Sequence, residues 1–228
     1  MKVQHKMSSF HERDNRIVFH EEPHIYVIDN DADVKYTSVT TVIHKFFSKF
    51  DADDAITKMK RSGNFEKKHK GKTAAEVKDL WKSAGQEACT LGTNLHACIE
   101  DTYNNVELKE DILQTVHKEY DLFRNFYRDT EHKYEPYRFE WRIFDEDIKV
   151  AGSIDAVFKK KDSGKYFIVD WKRVKEIKVD NQYQTALPPI SHLKDCNFTQ
   201  YALQLNLYKY ILEAKYGIEI DELILVVM

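Results

Sequence analysis

The stretch "VAGSIDAVFKKKDSGKYFIVDWKR", residues 150–173, decides the fold. Two apolar runs flank the turn signal "KDSGK" and predict a pair of antiparallel strands. Each run carries an aspartate, Asp155 in "SIDAVF" and Asp170 in "FIVDWK", with Lys172 two residues on. Strand interiors rarely hold carboxylates, because a buried charge without a partner is costly. Side chains alternate along a strand, so Asp170 and Lys172 share one face and Trp171 takes the other. Antiparallel pairing across the turn brings Asp155 beside Asp170. Two adjacent carboxylates repel unless one is protonated or a cation sits between them, and a divalent metal is the simplest such cation. The "DxK" spacing alone reads first as a plain ion pair, since such tripeptides occur by chance.

Working outward, "EPYRFEWRIFDED" predicts a third strand ahead of these two. After them, residues 180–196, with Pro188 and Pro189, read as a connection. "NFTQYALQLNLYKYILEAKYG" is a strongly apolar helix, and "ELILVVM" a final strand. Helical patterns cover residues 73–104, with Thr73 as cap, and roughly 107–130. Gly85 and Gly92 interrupt the first of these, so it is two helices or one kinked one; Gly92 also permits close packing onto a strand. Leu91, Leu95, Cys98 and Thr102 repeat on one face of it. Near the start, residues 1–14 read as loose. "HIYVI" and "VKYTSV" across "DNDAD" predict a hairpin, Ser38 caps a helix, "DADDAITKMK" forms another, and residues 58–72 form a loop. The order in the second half is helix, three antiparallel strands, helix, strand.

The chain has 228 residues, 42% hydrophobic and 32% charged, with 13 Tyr, 13 Phe and only 7 Gly. That suits one domain with a real core and argues against disorder. Three cysteines, Cys89, Cys98 and Cys196, make neither a disulfide framework nor a CxxC zinc pair. There is no apolar leader and no run of about 18 apolar residues, so a soluble, intracellular protein with no membrane partner is expected. The net charge is −3, yet "KMKRSGNFEKKHKGK" at residues 58–72 carries seven Lys or Arg against one Glu. Such a run is a solvated loop or a grip on phosphates.

Two helical pairs add to the acids. In "LGTNLHACIE", His96 and Glu100 stand four apart on one face. A site with two carboxylates accepts an imidazole or a third carboxylate from a packed helix; a lone His beside an apolar stripe is also often a packing residue. Gln204 and Tyr208 in "QLNLY" are likewise four apart, and a glutamine in so apolar a helix needs a partner or a place at the surface.

Taken in order, Gly92, His96 and Glu100 match "GxxxHxxxE", Gly152 and Asp155 match "GxxD", Asp170 and Lys172 match "DxK", and Gln204 and Tyr208 match "QxxxY". This resembles the PD-(D/E)XK nuclease superfamily and, within it, the compact exonucleases of the RecB-like branch, of the mitochondrial genome-maintenance and CRISPR-associated types. The "YTSVTTVIHKFF" segment resembles the "PSVT" start of the mitochondrial type, with Thr37 where a proline would stand. Ile154, not proline, precedes Asp155. The resemblance covers about residues 85–228 and only loosely what precedes.

The resemblance implies an α/β (α+β) fold with a restriction-endonuclease-like core, a central mixed sheet flanked by helices, spanning residues 85–228. Residues 1–84 would form an N-terminal hairpin and helical substrate-binding region. His96, Asp155, Asp170 and the Trp171 carbonyl would hold Mg²⁺ or Mn²⁺, and no iron–sulfur cluster is expected. Lys172 would act on the attacking water and the phosphate, Glu100 would reach the metal through water or hold a second ion, and Gln204 and Tyr208 would position Lys172 or the substrate. Lys58, Lys60, Arg61, Lys67, Lys68, Lys70 and Lys72 would contact phosphates, with Phe65 and Trp81 stacking on unpaired bases. The expected activity is metal-dependent hydrolysis of DNA, most of all exonuclease action on single strands or free ends. A structure-specific endonuclease, a non-catalytic nucleic-acid-binding module and a structural protein with paired acids are the other readings.

Overall fold

The computed structural model describes residues 10–228. A 3-10 turn over Glu12–Arg16 leads into β1 (Ile17–His20) and β2 (Ile25–Ile28), which pair antiparallel. Then follow β3 (Thr37–Ser38), α1 (Val39–His44), α2 (Ala52–Arg61), α3 (Asn64–His69), the long α4 (Ala74–Tyr103), α5 (Glu110–Thr115) and α6 (His117–Thr130). The second half is β4 (Tyr134–Asp145), β5 (Val150–Lys160), β6 (Tyr166–Lys172), α7 (Asn197–Tyr216) and β7 (Ile220–Val227).

Five strands make the central sheet. β5 pairs antiparallel with β4 along one edge and with β6 along the other, and β7 joins β6 in parallel. α7 is the crossover that a parallel β6–β7 pair requires. It ends at Gly217, whose φ of 65° is the left-handed cap a helix C-terminus favours. β3 pairs in parallel with Val150 and Ala151 at the start of β5. The result is a mixed sheet between two helical layers, the restriction-endonuclease-like architecture expected.

One layer packs α1 and α7 on the sheet through Val39, Ile43, Leu205, Tyr208, Ile211 and Leu212, against Ile154 and Ile168. The other packs Leu95, Ile99, Val116 and Phe123 against Phe158, Phe167, Val169 and Trp171. β6 alternates as its sequence predicts, with Ile168 facing the first layer and Phe167, Val169 and Trp171 the second.

Several expectations change. The hairpin pairs β1 with β2, not "HIYVI" with "VKYTSV". Asp29 and Asn30 do turn the chain, with φ of 55° and 59°, but Thr37 donates its N–H to the Lys149 carbonyl at 2.9 Å and the segment joins the main sheet. That placement lets Ser38 cap α1, accepting from the Thr41 N–H, and buries Val39 completely. Of the segment 1–14 expected to be loose, residues 1–9 lie outside the described residues, and 12–14 are not loose: Asp14 accepts from the Trp141 indole at 2.9 Å and from Arg138 at 2.5 Å. The span 107–130 is two helices, broken at buried Val116, whose φ is −132°.

The span 73–104 is one helix, opened by a capping box between Thr73 and Glu76. Gly92 has nothing within 4 Å of where a Cβ would stand, so it serves no close packing. Residues 82–90 of this helix are exposed on every side. Its first turns pack instead on α2 and α3 through Val77, Ile56 and Phe65, a small separate core. The basic run is therefore helical, the end of α2 and all of α3 around Gly63. The division expected between residues 84 and 85 falls within α4. No helix among the described residues is long and apolar enough to cross a membrane.

Candidate active site

The register of the sheet sets three carboxylates in one row. Phe139 pairs with Ala156 and Trp141 with Ile154, so Glu140 stands opposite Asp155. Ala156 is the last residue of β5 paired with β6, opposite Val169, so Asp155 and Asp170 face each other one step beyond the ladder, where the strands splay. The splay is capped by the backbone: the Trp171 N–H donates to Asp155 Oδ2 at 2.9 Å.

α4 lays an imidazole over this row. His96 Nε2 lies 2.9 Å from the Trp171 carbonyl oxygen and 3.7 Å from Asp155 Oδ2, and its Nδ1 lies 3.8 Å from Glu140 Oε1. One ligand atom from each of His96, Glu140 and Asp155 falls within 4.8 Å of the others, close enough to hold one metal ion. Asp170, only 2% exposed, is instead gripped by Lys172, whose Nζ lies 2.9 Å from Oδ1 and 2.8 Å from Oδ2. The Oδ2 contact lacks hydrogen-bond geometry, which leaves that buried oxygen an ion-pair partner only.

The electrostatics follow from this crowding. Burial, then the charge of Asp170, pushes the Asp155 carboxyl up to about 7. Burial also raises the Asp170 carboxyl, against the pull of Lys172. On His96 burial works against the charged form, but Asp155 and Glu140 outweigh it and raise the imidazole to about 9. Lys172 is likewise opposed by burial yet held above its ordinary value by Asp170 and Asp155. Acids held above their usual range beside cations held above theirs mark a site short of positive charge.

The α1/α7 face of the sheet, to which Asp170 and Lys172 also point, carries the "QxxxY" pair. Tyr208 is buried and its ring fills the space over Gly152: a Cβ there would stand 2.7 Å from Tyr208 Cε1. Gln204 Nε2 donates to the Tyr208 hydroxyl at 3.4 Å and to Thr40 Oγ1 at 3.3 Å. Thus the glycine of "GxxD" and the tyrosine of "QxxxY" are one contact, and Gln204 sits beside Lys172 in a pocket of about 250 Å³ between α1 and α7.

The structure brings together His96, Asp155 and the Trp171 carbonyl, with Asp170 and Lys172 adjoining. Glu100 lies one helical turn on, outside the cluster of His96, Glu140 and Asp155. Glu140 was missed by the sequence reading. Its signal is an acid inside the aromatic strand "RFEWRIF", but nothing in the sequence marks the bulge at Pro136/Arg138 or Glu140's left-handed φ of 43°, conditions that strands seldom meet.

The seven basic residues of 58–72 are all exposed. Lys58 is paired with Asp54 at 2.7 Å. Phe65 is corrected: at 4% exposure it belongs to the small core with Ile56 and Val77, so it offers no face to a base. An amphipathic helix needs its one large apolar residue inside.

A family model described as the PD-(D/E)XK nuclease superfamily matches residues 67–223, more than half of the chain. No curated protein matches it.

Proposed function

The chain belongs to the PD-(D/E)XK nuclease superfamily, and on that premise we propose that it is a metal-dependent DNA exonuclease of the RecB-like branch, acting on single strands or free ends. Nuclease chemistry on nucleic acid comes with the family; the branch, the substrate and the end preference are the proposal. The observation that carries it is the row Glu140, Asp155, Asp170 at the point where β5 and β6 part, with His96 above and Lys172 beside it.

A divalent cation fits this donor set. The carboxyls of Asp155 and Asp170 are raised by burial first and by neighbouring acids second, Asp170 Oδ2 has no hydrogen bond, and nitrogen and oxygen donors converge. His96, Asp155, Asp170, Glu140 and the Trp171 carbonyl would hold it. The mix of one imidazole with oxygens suits Mn²⁺ as well as Mg²⁺. Such an ion lowers the pKa of bound water and neutralises phosphate charge.

The chain's own residues do the rest. Lys172 stays protonated, so it serves as a hydrogen-bond donor and a positive charge for the phosphoryl oxygens rather than as a base. Asp170 aims it, and Tyr201 adds a ring whose centre lies 5.3 Å from Lys172 Nζ. Gln204 and Tyr208 hold the wall beside it. Residues 1–84 supply the grip: Lys58, Lys60, Arg61, Lys67, Lys68, Lys70 and Lys72 contact phosphates, and residues 85–228 carry the chemistry. Both regions share α4, which runs from the basic lobe to His96.

The test is incubation with end-labelled linear and circular DNA, single- and double-stranded, in Mg²⁺ or Mn²⁺. Linear DNA shortened from its ends while circles survive is the expected result. Nicked or linearised circles would mean an endonuclease, and binding without any cleavage would mean a non-catalytic module.

A further inference from the structure

A pocket opens beside Lys172, and most of its lining lies outside the spaced motifs. Lys172 forms one wall. α1 contributes Thr40, Ile43 and His44, and the first turns of α7 contribute Gln200, Tyr201 and Gln204. At about 250 Å³ it is smaller than the ~300–1,000 Å³ of pockets that hold whole small-molecule ligands. It suits one flat ring system.

The lining says which ring system. A phosphate pocket would collect cations, and here Lys172, at one edge, is the single lysine or arginine of the lining. The other walls pair apolar surface with groups that both donate and accept: two glutamine amides, a threonine hydroxyl and an imidazole. Those amides are braced, Gln200 Nε2 on Asp195 Oδ1 at 3.2 Å and Gln204 Nε2 on Thr40 Oγ1. Amide groups with both characters match the edge of a nucleobase, and each base has some donor and some acceptor to offer. Tyr201 supplies aromatic surface of the kind on which bases stack without regard to sequence.

Resting on the nuclease reading above, we propose that this pocket receives the base of the nucleotide next to the phosphate being cut. The base anchors the nucleotide between α1 and α7, and the sugar leads its phosphate to Lys172 and the carboxylate row. Because the lining serves any base edge, the pocket selects for the presence of a base and not for its identity.

The test is calorimetric binding in Mg²⁺ of deoxyadenosine 5′-monophosphate, deoxyadenosine 3′-monophosphate and deoxyribose 5-phosphate, which lacks a base. At least one nucleotide should bind about tenfold or more tightly than the sugar phosphate, the scale of one base–aromatic stack. Tyr201→Ala should erase that difference while Tyr201→Phe keeps it. His44→Trp, a bulky change at an exposed rim position, should erase it too without disturbing the ring. Equal binding of sugar phosphate and both nucleotides by the wild type, or an advantage that survives Tyr201→Ala and His44→Trp, overturns the proposal. Cleavage of single-stranded DNA is scored separately. Cleavage without base-dependent binding sinks the pocket and spares the nuclease; base-dependent binding without cleavage does the reverse.

Discussion

Gly152→Ala tests whether β5 and α7 are mechanically one at the site. The new methyl would meet Tyr208 Cε1 at 2.7 Å, Tyr208 Oη at 3.1 Å and Val39 Cγ2 at 3.1 Å. None of these is the far end of a flexible chain. Tyr208 is buried, with its hydroxyl on Gln204, and Val39 is fully enclosed at the start of α1. Overpacking of this kind costs about 1–3 kcal/mol, and the rigid surroundings place it at the upper end. For a chain of this size that is a fall in Tm of roughly 6–12 °C. Gly92→Ala is the control. It lies mid-helix with nothing within 4 Å, so it should be neutral or stabilise by about 1 kcal/mol. Urea unfolding of both variants, with Tyr208→Ala and the Gly152→Ala/Tyr208→Ala double variant, closes a cycle. The double variant should cost less than the sum of the singles by about 1–3 kcal/mol, because the methyl enters the space the ring vacates. A Gly152→Ala protein within about 0.5 kcal/mol of wild type, or a double variant that is simply additive, would falsify the contact and with it the reason for a glycine in "GxxD".

Asp155→Asn, Asp170→Asn and Lys172→Ala should each abolish cleavage of labelled DNA; the two aspartate variants should also lose Mn²⁺ binding by calorimetry, and the lysine variant should keep it. In the metal-free protein, Asp155 and His96 both hold protons more tightly folded than unfolded. Their stabilisation is complete below the unfolded values and is lost as pH rises, for Asp155 between its ordinary value of 3.8 and about 7, and for His96 between 6.5 and about 9. Thermal unfolding in EDTA should therefore occur at a lower temperature at pH 9 than at pH 6, with a smaller difference in Mn²⁺, and Asp155→Asn should flatten the acidic part of the curve. Neutralising Lys67, Lys68, Lys70 and Lys72 together should weaken binding of a single-stranded oligonucleotide and make it less dependent on salt, with cleavage at saturating substrate preserved; an unchanged slope across a salt series would leave α3 a solvated face.

What was legible in the sequence was local. Period-2 alternation and a tight turn placed Asp155, Asp170 and Lys172, because both the turn and the faces are set within a few residues. His96 was legible as part of a spaced set. Glu140 was not, because its place depends on the β4–β5 register and on a bulge upstream of it, neither of which a composition pattern encodes. Phe65 was misread for the opposite reason. Its neighbours Ile56 and Val77 lie on two other helices, so the small core is invisible in a run of lysines until the three helices fold together. Gly92 shows the limit of motif matching, since its match to the spacing says nothing of contact. The β1–β2 pairing was lost to a similar long-range choice: Thr37 and Ser38 find partners in Val150 and Ala151, more than a hundred residues away.

Trp171 explains how the sheet tolerates so much buried charge. Its ring lies in the opposite layer, edge-on to Phe123 at 5.8 Å and Phe126 at 5.2 Å. Its N–H holds Asp155 and its carbonyl faces His96. One residue thus ties β6 to α6 by its side chain, to β5 by its donor and to α4 by its acceptor. The flanking Asp170 and Lys172 are thrown to the other face by alternation alone. Arg173 adds a further clamp to α6 through Glu119 at 2.8 Å. The acids are crowded at a place where the strands part and would spring wider under mutual repulsion. The aromatic anchor on the back of β6 resists that, so the row of acids keeps its place. A site of this kind depends on its hydrophobic side as much as on its ligands: truncating Trp171 would leave every carboxylate present and the row they form unsupported.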